Sequence, residues 1–440
     1  MTAEEIIKKY IKGNQRHAGY YEAVDIENHL SFHIDGYQPD KLDNQADRFL
    51  YSLGATNENP YFNILIDQRR PGETAVVQKH RRVIYASITR EPCFKVISSL
   101  NKIVRSDDWK IDYSQSEKIK QEGESLEDYC EHNYPNFGSI TNWLYTYGLK
   151  KILSDPNGMI VILPIKFDVS SNEFLQPYTN YVSSEDILYY EPGKMIAYKS
   201  DHVTEIKTKD GIKLVPIYRI ISTESVWEVV QNEDRYTMTE FTNYTNKLPV
   251  IPNGGIINKL INNIPIYNSF LAPMLPRLDE AAREYSDLQA EVLLHIHSTL
   301  AVIQGDNCNL CSGTGKVLKD GKPVACGDCK GRGALKQDPY DQIVVRIRDV
   351  DKQQIPFPPA QYITKSTDIV KIQEERIENH LYKALSSLNM EFLAQTPLNQ
   401  SGVAKEIDKE ELNNFIYSIA FHIVKNVMQP IYTCIAEYRY

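Results

Sequence analysis

The chain has 440 residues, enough to bury a sizeable core in two or three structural units at about 150 residues per domain. Acidic residues outnumber basic ones, 58 to 49, for a formal charge of −9. That excludes a coat that grips nucleic acid along its whole surface, because Lys and Arg neutralising phosphates supply most of such affinity.

Residues 1–60 are polar and tyrosine-rich, with NQADRF and GATNENPYFN reading as turns around a short helix, so an arm or peripheral layer is expected. The opening MTAEEIIKKYIKGNQRH lacks a basic leader followed by an apolar core. No window holds about 18 consecutive apolar residues, so a cytosolic chain without a membrane span is expected. From Gly72 a helical pattern runs through GETAVVQKHRRVIYASITREPCFKVISSLNKIVRSDDW. Pro92 interrupts it, which predicts a kinked or paired helix ending near Arg105. Between Arg69 and Arg105 nine basic residues meet only Glu73 and Glu91. Arg69, Arg70, Lys79, Arg81 and Arg82 are candidate contacts to DNA or another anionic partner; the alternative is a solvated face or ion pairs with acidic neighbours.

After a second polar helix that includes GSITNWLYTYGLKKIL, the period changes. DPNGMIVILPIKF is a turn feeding an apolar run of strand length, and β-rich segments split by Gly, Asp and Asn turns follow it. A meander-type β-domain is expected from about 155 to 252. Then Leu278, Ala281, Ala282, Tyr285, Leu288, Val292, Leu293 and Ile296 recur at helical spacing, predicting a long helix to about Val302. A short β-like piece, DQIVVRIRD, and the proline-rich stop IPFPPAQ lead to a second long helix from Ser366 to about Asn389, with Asp368 in its favourable first turn. A third helix carries Leu412, Phe415, Ile416, Ile419, Ile423 and Val427 on one stripe.

Four of the seven cysteines cluster between the two long helices, in CNLCSGTGKVLKDGKPVACGDCKGRG; Cys93, Cys130 and Cys434 are scattered. An odd total with one tight cluster favours a reducing compartment and a metal over a disulfide framework. In the pairs Cys308/Cys311 and Cys326/Cys329 two residues separate the thiolates, so both sulfurs of one turn reach a single ion. Four thiolates suit tetrahedral Zn²⁺ and leave no open position for catalysis, which makes the zinc structural. Gly313, Gly315, Gly331 and Gly333 follow the pairs with one rhythm, permitting the positive φ angles of a knuckle. Asp320-Gly321 reads as the turn of a hairpin between them.

Phosphate-loop, nucleophile-elbow and H-E-x-x-H patterns are missing, and the chain is not expected to be an enzyme. His295 and His297 are two apart on a helix, do not face each other, and read as ordinary helical residues. Asp107-Asp108 and Glu374-Glu375 read as solvated faces.

The doubled C-x-x-C-x-G-x-G pattern resembles the zinc domain of J-domain co-chaperones. The match ends at the knuckle: that domain carries four such repeats and a His-Pro-Asp-bearing helix, and this chain has neither. The order of parts is similar to the portal proteins of tailed bacteriophages, and NKIVRSDDWKI, DPNGMIVILP and NQSGVAKE are similar to portals of phages infecting Bacteroidetes-type hosts. The resemblance implies an α+β fold with an N-terminal region at 1–135, a β-rich wing at 136–265 and a first stem helix at 266–303. A clip-like insertion would follow at 304–360, holding the zinc ribbon at 308–333, and then a second stem helix, channel loop and terminal helices at 361–440. NMEFLAQTPLNQSGVAKE would be the channel-side segment.

That resemblance also implies a virion protein, assembled in the host cytoplasm, whose ring conducts double-stranded DNA at one capsid vertex. Its partners would be further copies of itself, about a dozen in the ring, with the terminase motor, the head–tail adaptor and the capsid protein, and no membrane. The competing reading is a zinc-ribbon adaptor that binds nucleic acid or protein on an α+β scaffold.

Overall fold

The computed structural model describes residues 2–37, 59–106, 109–114, 124–167, 175–208, 211–232, 235–245, 247–296, 299–304, 310–312, 314–319, 321–327, 331, 343–346, 360–363, 368–394 and 402–439. The fold is α+β, with several antiparallel sheets beside long helices. It divides into two compact units. The first comprises Met1–Ile64, Ala86–Glu280 and His380–Tyr440, the second Leu65–Tyr85 and Ala281–Asn379. Each unit is assembled from stretches of chain that lie far apart in the sequence.

In the first unit the apolar run after the Asp155–Gly158 turn forms β1 (Met159–Pro164), buried at every residue. It lies between β2 (Pro177–Val182) and β8 (Val250–Pro252), antiparallel to both. Successive side chains of a strand point to opposite faces. Ile160 and Ile162 accordingly enter a helical core with Leu100, Trp143, Leu278, Ile419 and Ile431. Met159, Val161 and Leu163 enter a second core with Val182, Ile187, Tyr198 and Val226. The expected meander is present as β3 (Ile187–Glu191), β4 (Met195–Thr208), β5 (Gly211–Ser222), β6 (Ser225–Asn232) and β7 (Arg235–Thr242), antiparallel neighbours in chain order. A hairpin of β9 (Ile256–Ile261) and β10 (Ile264–Asn268) follows.

Of the arm or peripheral layer expected from its composition, the described N-terminal residues form a layer and not a free arm. Ala3, Ile6 and Tyr10 pack on the meander against Leu188, Ala197, Ile220 and Val229, after a capping box made by Thr2 and Glu5. Leu30 and Ile34 enter the helical core. Polar residues dominate the average here and hide a single apolar face. NQADRF and the first half of GATNENPYFN, residues 54–58, lie outside the described residues.

The region after Gly72 forms two helices, Ala75–Ile84 and Arg90–Val104. Pro92 falls in the first turn of the second, where its missing N–H costs no hydrogen bond. Helix Asp368–Ser386 matches expectation, and Ile419, Ile423 and Val427 are buried on the terminal stripe. One element differs. The helix begun at Leu275 ends at Ile296, and β11 (Thr299–Gln304) replaces its expected last turns. In the second unit β11 pairs in parallel with β14 (Ile343–Arg346) and antiparallel with β15 (Ala360–Ile363). The run TLAVIQ satisfies either period, and partners more than 40 residues away decide in favour of a strand.

Helix Tyr20–Ser31 is tied to the loop before β3 through Glu27, which accepts hydrogen bonds from the hydroxyls of Ser183 (3.0 Å) and Ser184 (2.9 Å). Burial, and then the neighbouring Asp155 carboxylate, push the Glu27 carboxyl up to about 8 from a usual 4.5. The folded protein thus holds this proton more tightly than the unfolded chain. The associated stability is complete below the ordinary carboxylate range and is lost as pH rises through about 8. Thermal midpoints measured from pH 5 to pH 9, both about the limits of that window, should fall for the wild type and much less for Glu27→Gln.

Candidate metal centre

The cysteine segment belongs to the second unit. β12 (Lys316–Lys319) and β13 (Lys322–Ala325) form the expected antiparallel hairpin, Lys319 opposite Lys322. Gly321 has φ +75°, the left-handed conformation a two-residue turn requires there. Cys311 and Cys326, at the two ends of the hairpin, are 6% and 1% exposed. The Cys326 N–H donates to the Gly315 carbonyl at 2.9 Å, and the Thr314 N–H to the Cys311 carbonyl at 3.0 Å. Gly315 and Gly331 have φ +72° and +83°, in keeping with the knuckle rhythm. Cys308 and Cys329 lie outside the described residues.

The apolar side chains of this hairpin do not form a core. Leu310, Leu318 and Val324 are all exposed, and among the described residues from 310 to 331 only Cys311, Gly315 and Cys326 are buried. A hairpin whose buried side chains are thiols needs another source of cohesion than the hydrophobic effect. The donor set therefore fits a thiolate-bound ion. By contrast, burial pushes the thiols of Cys93, Cys130 and Cys434 up to about 12. That makes them inert packing groups.

A second group of ligand-type side chains, in the first unit, went unnoticed in the sequence. His29 lies on helix Tyr20–Ser31, and His33 on the π-helical turn Phe32–Gly36 that continues it. Asp279 comes from helix Leu275–Ile296. The Nε2 atoms of both histidines lie 2.9 Å from the same Asp279 oxygen, Oδ1. His33 is fully buried, and its Nδ1 is 3.0 Å from the Thr89 hydroxyl. The ring of His29 stacks on Tyr61 at 4.0 Å and 3°. Burial alone would raise the Asp279 carboxyl; the hydrogen bonds from His29 and His33 outweigh it and pull the group down to about 2. Burial lowers His33 against the pull of Asp279. At neutral pH the carboxylate is thus ionised and the buried imidazole uncharged. The sequence signal was His29-x-x-x-His33, an i,i+4 pair on one helix face; its carboxylate partner, 246 residues from His33, had none.

The basic stretch does not form one cationic face. In the second unit the Arg81 side chain is 1% exposed and Glu73, beside it, 6%. Its guanidinium donates to both Glu73 oxygens (2.7 and 2.9 Å), to the Ser286 hydroxyl (2.9 Å), and to the carbonyls of Ile66 and Gln68. Arg81 as a candidate DNA contact is corrected by this burial: its five N–H groups are used inside the fold, and its pairing with Glu73 is the alternative of an ion pair with an acidic neighbour. Arg70 pairs with Asp287 at 2.8 Å and Arg82 with Asp67 at 3.0 Å. Arg69 and Lys79 are exposed, although Arg69 donates to the Glu73 carbonyl at 2.6 Å. The side chains of His295 and His297 lie outside the described residues.

No protein-family model and no curated protein matches this chain.

Removing one partner of a buried ion pair strands the other charge. Glu73→Ala should therefore cost about 3–5 kcal/mol in urea unfolding, whereas Lys79→Ala should stay within about 0.5 kcal/mol of wild type.

Proposed function

We propose that the chain is the subunit of a phage portal ring, the conduit for double-stranded DNA at one capsid vertex, with the cysteine knuckle as a zinc-stapled clip. One observation carries the reading: a small β insertion is strung between two long helices that pair with each other. Within the second unit Arg376 of helix Asp368–Ser386 bonds to Glu284 of helix Leu275–Ile296; within the first, His380 lies 3.0 Å from Glu280. As one residue number rises the other falls, so the helices run antiparallel. The β3–β7 meander would be the wing and the two helices the stem.

Surface chemistry supports the same reading. Ile369 and Ile372 on the second long helix are more than half exposed, as are Tyr417 and Phe421 further on. Such apolar side chains on stem and terminal helices gain by packing against copies of themselves. A heterologous interface whose rotation closes produces a ring. A conduit must not hold its cargo, and a subunit of charge −9 repeated around a passage disfavours tight phosphate contact. The withdrawal of Arg81 and the pairing of Arg70 and Arg82 reduce that contact further. Residues 395–401 of the channel-side segment lie outside the described residues.

Cys308, Cys311, Cys326 and Cys329 would hold Zn²⁺ as a structural ion. Bound to four thiolates, zinc contributes folding free energy directly, about 10 kcal/mol or more in small metallo-domains. That suits a hairpin with no apolar interior. The docking partners of such a clip would be the packaging motor and then the head–tail adaptor.

Two measurements test this. Mass in solution, with negative-stain imaging, should give a closed ring of about a dozen copies with a central hole; a species that stays monomeric or dimeric at all concentrations removes the portal reading and favours the adaptor. Separately, Cys326→Ser should lose one equivalent of zinc and open the 308–333 segment to proteolysis. Unchanged zinc content would dismiss the knuckle.

A further inference from the structure

We infer that His29, His33 and Asp279 form a binding site for one divalent transition-metal ion of the zinc type, separate from the cysteine knuckle. Three donor atoms of the kind zinc prefers, two imidazole nitrogens and a carboxylate oxygen, lie within 4.8 Å of one another. Their convergence is uneven in a telling way. Both Nε2 atoms point at Asp279 Oδ1, while among the described residues Oδ2 takes part in no hydrogen bond. The three donor atoms thus crowd round one small space, with Oδ2 left over for an ion or for solvent.

The dimensions agree. With metal–ligand bonds of about 2.0–2.1 Å and tetrahedral angles, neighbouring ligand atoms stand roughly 3.3 Å apart. The two N···O separations of 2.9 Å need to open by about 0.4 Å, and the two imidazole nitrogens, within 4.8 Å of each other, need to settle at that same spacing by side-chain rotation. The surroundings hold the ligands in place: Tyr61 fixes the plane of His29, and the Thr89 hydroxyl sits at Nδ1 of His33. An outer-shell partner at the second ring nitrogen is the usual support of a metal-bound histidine.

Proton accounting closes without a co-reactant. In the metal-free state each histidine carries its proton on Nε2 and donates it to Asp279. On metal binding that proton moves to Nδ1, freeing the Nε2 lone pair, and the Thr89 hydroxyl changes from donor to acceptor. Two neutral imidazoles and one carboxylate leave a dication with one positive charge. His29 and Asp279 are 20% and 25% exposed on their side chains, so solvent reaches the cluster and supplies a fourth ligand. The bound ion would clamp helix Tyr20–Ser31 to helix Leu275–Ile296.

The inference does not depend on ring assembly. The full-length chain is stripped with a chelator, reloaded with Zn²⁺ or Co²⁺, and assayed for retained metal and thermal midpoint. Wild type should retain one equivalent more than His29→Gln, and Cys326→Ser should keep that His29-dependent equivalent. Thr89→Ala should keep the stoichiometry and weaken Co²⁺ affinity about 10–100-fold, the usual effect of losing an outer-shell partner. Metal-free His29→Gln should melt close to metal-free wild type, and only wild type should gain the additional midpoint shift on loading. Equal metal content and equal shifts in wild type and His29→Gln would overturn the site. If His29→Gln does not fold, an unchanged Co²⁺ affinity in Thr89→Ala overturns it instead.

Discussion

Strand β1 has no solvent face, and the first unit is organised around that constraint. Its backbone groups are taken up by β2 on one side and β8 on the other. Its side chains divide between two interiors, the isoleucines among helices and Met159, Val161 and Leu163 against the meander. A slip of one residue would exchange the contents of both. Asp155 guards the register at the point of entry. Its carboxylate accepts from the Gly158 and Ser184 N–H groups, both at 2.8 Å, and from the Tyr181 hydroxyl at 2.5 Å, while its carbonyl accepts from Asn253. One side chain thereby fixes the turn before β1, the strand beside it and the loop that leads to β3.

The same economy governs the charged residues. Buried ions are stable only where each is met by partners, and Arg81 with Glu73 satisfies this inside the second unit just as Asp279 with its two histidines does inside the first. Charge density along the sequence therefore says little about charge on the surface. The cluster between Arg69 and Arg82 reads as a basic stripe in one dimension, yet the folded chain turns its central guanidinium inward. Arg70, Arg81 and Arg82 of that cluster are each met by a carboxylate.

What could be read from the residues was local. The meander announced itself through short β-rich runs split by turn residues, the hairpin through Asp320-Gly321, and the terminal helix through its stripe from Leu412 to Val427. What was missed lay mostly at a distance along the chain. Whether TLAVIQ continues a helix or joins a sheet is settled by β14 and β15. Whether Arg81 faces solvent is settled by Glu73 and Ser286, and the carboxylate beside His33 comes from 246 residues away. The N-terminal stretch misled through its average, since three apolar residues at helical spacing suffice to cover one face of a sheet.

Terminal helix Gln429–Arg439 bears on how the chain is made. Ile431, Ile435 and Tyr438 are buried in the helical core, and Arg439 reaches back to Glu124 at 3.1 Å. That interior cannot close during synthesis until residues 431–438 have left the ribosome, long after β1 has. Until then β1 and its neighbours remain without this cover, a long-range topology that folds slowly and exposes apolar surface meanwhile. Productive yield in a cell should then depend on protection of the nascent chain.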